Sequence, residues 1–201
     1  VEKSKSFIIS GSGVDGAVYS KKRNAVSNPL RVLMASRLTH EKGVLVYIEA
    51  AKILASEGSK IRFYLAGKTL GESDAIKPDL LKKLCIESKV KFLGEIKRMD
   101  LLLKRIDLVV LPTSRKEGVP RILVESCASS VPMVTTNKGG CELIAQHGVN
   151  AEIIENINSK KLANKIRELN FNPETIINYA SNCRGIFDSG FEMNIVDEAY
   201  I

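Results

Sequence analysis

Asp107–Leu108–Val109–Val110–Leu111–Pro112 is an apolar, β-branched run stopped by proline, and it reads as a buried strand. A polar loop follows, and then Arg121–Ile122–Leu123–Val124–Glu125 opens a helical pattern over 121–130 whose only charges are Arg121 and Glu125. A second acid stands just ahead of it, in Glu117–Gly118–Val119–Pro120. α/β sheets build ligand sites from such a sequence: a strand, a loop, and a helix with a carboxylate near its start. Helix N-termini attract anions, and an acid among apolar neighbours needs a polar partner. A plainer reading stands beside this one. Glu117 can be an exposed loop acid, and Glu125 can pair with Arg121 four residues earlier, worth about 0.2–0.5 kcal/mol on a helix surface.

The alternation extends in both directions. Upstream, Arg31–Ser36 reads as a strand and Gly43–Glu57 as a helix, with Val44, Tyr47, Ile48, Ala51 and Leu54 along one stripe. Ile61–Ala66 is a second strand, Pro78–Glu87 a helix with proline in its first turn, Val90–Leu93 a strand and Met99–Arg105 a short helix. Downstream come strand Met133–Thr135, helix Cys141–Gln146, strand Ala151–Ile154, and helical stretches Ser159–Asn170 and Pro173–Phe187. Six short apolar strands separated by helices predict an α/β fold, a Rossmann-like, doubly wound parallel sheet with helices on both faces. Right-handed crossovers gather loops 37–42, 67–77, 94–98, 112–119 and 136–140 on one edge, where ligands sit. Phe7–Ile8–Ile9 is a possible strand outside this alternation, and Asn28–Pro29 closes a polar linker. The division is then a linker over 1–29, a nucleotide-binding domain over 30–155, and helices over 156–201 that cap the sheet or cross back.

Composition excludes several classes. No apolar run among the 201 residues approaches the roughly 18–20 that a membrane span needs. Val1–Glu2–Lys3–Ser4–Lys5–Ser6 has no secretory character, and the start without Met suggests an excised piece. Cys85, Cys127, Cys141 and Cys183 are widely spaced without a C-x-x-C, so they read as reduced thiols, Cys85 and Cys127 as core residues. The net charge of +7 favours anionic partners, although many proteins carry such a surplus unused. Aromatics are 5% of residues and no basic run is interleaved with them, which argues against nucleic acid. Gly11–Ser12–Gly13–Val14–Asp15–Gly16 matches the dinucleotide fingerprint in letters only. No crossover helix fits between it and Asn28–Pro29, and no acid ends the next strand.

A second constellation lies at the end of the first strand of the main domain, in Ser36–Arg37–Leu38–Thr39–His40–Glu41–Lys42–Gly43. Arg37 and Lys42 flank the turn that opens the next helix. There they can clamp a diphosphate, one as a bidentate fork and the other as a point charge. They can equally be a solvated helix start with Glu41 as a first-turn acid.

Taken in order, the pieces resemble a known family. Ser36–Arg37–Leu38 with Lys42–Gly43, Leu65–Ala66–Gly67, Phe92–Leu93–Gly94, Glu117–Gly118–Val119–Pro120, Glu125 and Gly139–Gly140–Cys141–Glu142 are similar to the donor-binding C-terminal half of a GT-B glycosyltransferase. The resemblance is to the large family 4 of retaining enzymes, in particular a branch that builds bacterial surface polysaccharides. It runs from about residue 8 to residue 155. It implies that Arg37 and Lys42 hold the donor diphosphate and stabilise it as a leaving group, helped by the amides of Ile122 and Leu123. It implies that Glu125 accepts the ribose hydroxyls. Glu117 with the amides of Gly118 and Val119 would bind the donor sugar, and the backbone of Leu93, Gly94 and Ile96 the base.

The implied donor is a UDP-sugar, which is a substrate, so no cofactor is expected. No metal is expected either, the two cations taking its electrostatic role. Further partners would be an N-terminal acceptor domain of the same protein and a lipid-linked acceptor, in the cytoplasm or at the inner face of the membrane. Without that domain the chain is expected to be inactive. Val119 departs from the family's larger aromatic, and Ser130 from its glycine. Two other classes stay open: a sugar-nucleotide epimerase or phosphorylase of the same architecture, and a non-catalytic nucleotide-binding module.

Overall fold

The computed structural model describes residues 13–19, 25–116 and 118–198. Six strands form one parallel sheet: β1 (Arg31–Ala35), β2 (Arg62–Ala66), β3 (Lys91–Gly94), β4 (Leu108–Leu111), β5 (Met133–Thr135) and β6 (Ala151–Ile153). Their order across the sheet is β3-β2-β1-β4-β5-β6. The chain winds outward from β1 in one direction, then returns to β1's other side with β4 and winds the opposite way. Val32 pairs with Phe63 on one flank and with Leu108 on the other. A doubly wound sheet opens a crevice at this reversal, beyond the strand C-termini.

Apolar strand residues supply the core because helices cover both faces. Val32, Leu33, Met34, Leu65, Val109, Val110 and Val134 are fully buried. Helix α1 (Val44–Ser56) lays the expected stripe on the sheet. Its buried Tyr47 keeps its hydroxyl satisfied by donating to the carbonyls of Val32 and Tyr64, at 3.0 and 2.9 Å. Between α2 (Pro78–Glu87), α3 (Met99–Leu103) and α4 (Arg121–Ala128) the alternation follows the sequence pattern, with α3 two residues shorter than expected. Helix α5 (Cys141–Ile144) stops early because Ala145 turns to extended backbone.

The C-terminal helices fasten the two faces. Helix α6 (Ser159–Phe171) packs on α1, where Arg167 Nε and Nη2 reach the Glu57 carboxylate at 3.1 and 2.6 Å. Helix α7 (Pro173–Asp188) packs on α4, and α8 (Met193–Glu198) follows. Residues 13–19, from the stretch expected to be a linker, lie against α7 and α8. The Val14 amide donates to Phe191 O at 3.2 Å and the Met193 amide to Val14 O at 3.1 Å. The glycine fingerprint is therefore in part an edge contact to these helices, and its first residues, like Phe7–Ile9, lie outside the described ones. Among the described residues no helix is long and apolar enough to cross a membrane.

Candidate functional site

The loops at the C-terminal edge of the sheet are tied into one rim. Gly43 precedes α1 at φ 77°, and a Cβ there would overlap the Pro112 carbonyl. Only glycine lets the turn after β1 lie directly on the end of β4. The Glu41 carbonyl then accepts from the Ser114 amide at 2.8 Å and from the Thr113 hydroxyl at 3.2 Å. The amide of Glu41 donates to Asp74 Oδ2 at 3.2 Å, drawing in loop 67–77. On the far side, a Cβ on Gly140 would overlap the backbone of Gly118 and Val119, so α5 begins against the loop that leads into α4.

This rim encloses a pocket of about 350 Å³ lined by residues from both halves of the sheet. Its lining takes Arg37 and Lys42 from the turn after β1, Lys68, Glu95, Ile96 and Met99 from the stretches after β2 and β3, and Arg121, Ile122 and Glu125 from α4. Arg37 is half in solvent and already engaged: Nη2 lies 3.4 Å from Glu41 Oε1 and Nη1 3.3 Å from Glu72 Oε1. Glu41 also holds Arg115, at 2.8 Å. The Leu70 amide donates to Glu72 Oε2 at 2.7 Å, and that bond, with Arg37 beside it, holds the Glu72 carboxyl below its usual pKa. Lys42 is buried. Lys68 and Glu95, both lining the pocket, pair at 2.6 Å.

Glu125 is 7% exposed on the α4 wall. Its Oε1 accepts from Arg121 Nε at 2.9 Å, so the plainer reading of this acid holds alongside its place in the pocket. Burial, then the charge of nearby Glu125, push the Tyr19 phenol's pKa up.

Five of the residues singled out from sequence thus meet on one pocket: Arg37, Lys42, Ile96, Ile122 and Glu125. Gly94 lines an adjoining hollow of about 580 Å³ that shares Gly67, Lys68 and Glu95 with the first. Leu93 is half-buried behind it. Gly118 is exposed and Val119 half-buried on the loop ahead of α4, outside both linings. The Leu123 amide donates to Pro120 O at 2.9 Å, and its side chain is fully buried. Glu117 lies outside the described residues. Sequence reasoning missed Glu72, Lys68, Glu95 and Tyr19. The first three sit in loops already assigned to this edge, but nothing local marks Tyr19, whose partner is far along the chain.

Comparison with known proteins adds to this geometry. The chain is 28% identical over 185 residues to the amylovoran biosynthesis glycosyltransferase AmsK of Erwinia amylovora, an alignment covering 87% of this chain and 44% of that one. It is 27% identical over 133 residues to the capsular polysaccharide biosynthesis glycosyltransferase CapM of Staphylococcus aureus, covering 66% and 34%. Among solved structures, Anabaena Alr3699/HepE in complex with UDP-glucose superposes with a TM-score of 0.79 at 26% identity, over 94% of this chain and 54% of that one. The C-terminal domain of the group 1 glycosyl transferase LpcC from Francisella tularensis shares the fold, with a TM-score of 0.75 at 20% identity, and is covered completely. The chain therefore spans about half the length of the longer proteins it matches. A family model described as glycosyl transferases group 1 matches residues 17–184, well over half of the sequence, and the chain belongs to that family.

Proposed function

We propose that this chain is the nucleotide-sugar-binding half of a glycosyltransferase. It takes a UDP-linked hexose or N-acetylhexosamine whose sugar passes, with retention of configuration, to a polysaccharide or lipid-linked acceptor. The observation that carries this reading is the meeting of Arg37 and Lys42 with Ile122 and Glu125 on one pocket at the sheet's reversal point. Cations and a buried carboxylate lining one pocket suit a molecule that carries both a diphosphate and vicinal hydroxyls. The relatives named for polysaccharide biosynthesis and the neighbour bound to UDP-glucose support the same donor class.

In this reading Arg37 exchanges its two carboxylate partners for phosphate oxygens, and Lys42 adds a second positive charge. Together they stabilise the negative charge that develops on the diphosphate as the bond to the sugar breaks, without requiring a metal. Glu125 accepts hydrogen bonds from the ribose, and the face of α4's first turn adds partial positive charge near the phosphates. Glu117 with the loop amides of Gly118 and Val119 orients the sugar. The acceptor site belongs to a second domain, so this chain alone binds donor and transfers little. Two charge-assisted contacts and the helix terminus supply roughly 4–8 kcal/mol gross. Association entropy takes most of that, leaving a Kd nearer millimolar than nanomolar.

Calorimetric titration with UDP, GDP and ADP, repeated on Arg37→Ala, tests the reading. Weak binding of one diphosphate that depends on Arg37 is expected, and silence toward all three refutes it. Glu117→Ala should weaken UDP-glucose and spare UDP, and equal losses for both would remove Glu117 from its role.

A further inference from the structure

Loop 67–77 is fastened at both ends and held by one residue between them. At its start the Gly67 amide donates to Gly94 O at 2.8 Å and the Leu38 amide to Lys68 O at 3.2 Å. A Cβ on Gly67 would overlap the Ser36 carbonyl, so this end lies hard against the turn after β1. At the other end the His40 amide donates to Asp74 O at 3.1 Å and the Ile76 amide to Leu38 O at 2.9 Å. Residues 69–73 span the interval as a strap. Among the described residues, every hydrogen bond of this strap runs through Glu72. Its carbonyl accepts from the Ala75 amide at 3.1 Å, and its carboxylate takes the Leu70 amide on Oε2 at 2.7 Å and Arg37 on Oε1 at 3.3 Å. Gly71 stands at φ 87° with open space about it, so the middle of the strap is free to turn.

The strap carries Leu70, which lines the pocket together with Ile96 and Met99 and is nonetheless 66% exposed. A lone exposed leucine says little by itself. This one stands on a stretch tied through a single carboxylate, and that carboxylate also pairs with the cation assigned to the diphosphate. A phosphate that takes Arg37 leaves Glu72 without its ion pair, and the turn that Glu72 closes on the Leu70 amide loses its hold on the pocket. We propose that Leu70 is a donor-contacting residue, carried on a strap that Glu72 holds open through Arg37 and that folds over the nucleoside once a diphosphate claims Arg37. Leu70, Ile96 and Met99 follow β2 and β3, which lie across β1 from β4 and its helix α4, so the apolar cover falls to the nucleoside rather than to the groups at α4. This rests on the donor reading above and adds to it the residue that covers the ligand and the catch that releases it.

The test uses the 201-residue chain, which contains no tryptophan, so Leu70→Trp reports from the strap alone. UDP should shift and quench its emission, saturating over the concentrations at which calorimetry records binding. Emission unchanged at calorimetric saturation overturns the inference. Calorimetry on Leu70→Ala should show about a three- to tenfold loss of UDP affinity against wild type, the scale of burying about half a leucine side chain. Equal affinities overturn the contact. Loss of all binding in Leu70→Trp, where Leu70→Ala only weakens it, places position 70 in the ligand's space and supports the contact. Glu72→Gln added to Leu70→Trp should bring the UDP-free emission toward the bound value, and UDP-free emission that does not move removes Glu72 as the catch. Wild type silent toward UDP sinks the donor reading itself, whereas binding without any response at position 70 sinks only the strap.

Discussion

Arg121 and Glu125 stand one turn apart on α4 with Nε and Oε1 2.9 Å apart, so the only acid on the pocket's helical wall is charge-paired before any ligand arrives. The pair is asymmetric: the guanidinium side chain is mostly in solvent and the carboxylate is nearly buried.

That asymmetry separates stability from binding. An ion pair with one partner in water contributes little, so Arg121→Met should change the free energy of unfolding by less than about 0.5 kcal/mol in urea. Glu125→Ala should weaken UDP and UDP-glucose together by a larger factor. A loss of stability above about 1 kcal/mol in Arg121→Met would mean the pair is structural, not a binding feature.

Glu72 pairs with Arg37 at 3.3 Å, and under the proposed function it would compete with a phosphate for that guanidinium. Neutralising it removes a competitor from an exposed cation without disturbing the core. Glu72→Gln is expected to tighten UDP binding by about two- to fivefold at low salt, with the gain shrinking as ionic strength rises. Unchanged affinity at low salt would show that Arg37 is not the diphosphate ligand or that Glu41 alone restrains it.

Ser130 is the residue that ends the α4 turn, at φ 55°, buried, with its hydroxyl lacking a hydrogen-bond partner among the described residues. Both conditions disfavour serine. Ser130→Gly should stabilise the fold by about 1 kcal/mol, relief of the left-handed backbone and the orphaned hydroxyl outweighing the entropy of a glycine in the unfolded chain. A lower urea midpoint would contradict this account.

Asp100, at the start of α3, is gripped by Arg98 through two bonds of 2.9 and 2.7 Å, and that grip lowers its pKa. Glu72 is lowered as well, chiefly by the Leu70 amide. Groups with depressed folded pKa values bind protons more readily when the chain is unfolded. Their stabilisation is fully present above the ordinary carboxylate range and is lost as pH falls through the depressed values. Asp100→Asn should flatten the acid limb of a stability–pH curve, and a limb of unchanged slope would show that Asp100 titrates alike in both states.

Sequence periodicity resolved the sheet well because each strand is buried on both faces and therefore written in unbroken apolar runs, such as Leu108–Leu111 and Met133–Thr135. It resolved the clamp less fully. That Arg37 and Lys42 share an edge follows from crossover handedness, but the carboxylates that occupy Arg37 come from side-chain geometry. Glu125 carried two readings in the sequence because one acid can both face a ligand and pair at four residues' spacing, and the structure shows the pairing within the pocket wall. Tyr19 was invisible for a different reason. Its backbone is tied to the end of α4 only through Arg184 of α7, and no local pattern encodes a contact made through a third element.

The reversal of strand order at β1 and β4 has a genetic corollary. The pocket residues Arg37, Lys42 and Ile96 are encoded before α3 ends at Leu103. The helix bearing Ile122 and Glu125 is encoded after β4 begins at Leu108. One crossover between those two points would exchange half a pocket intact. A lineage recombining there could trade the Arg37 side of the pocket while inheriting the Glu125 helix unchanged.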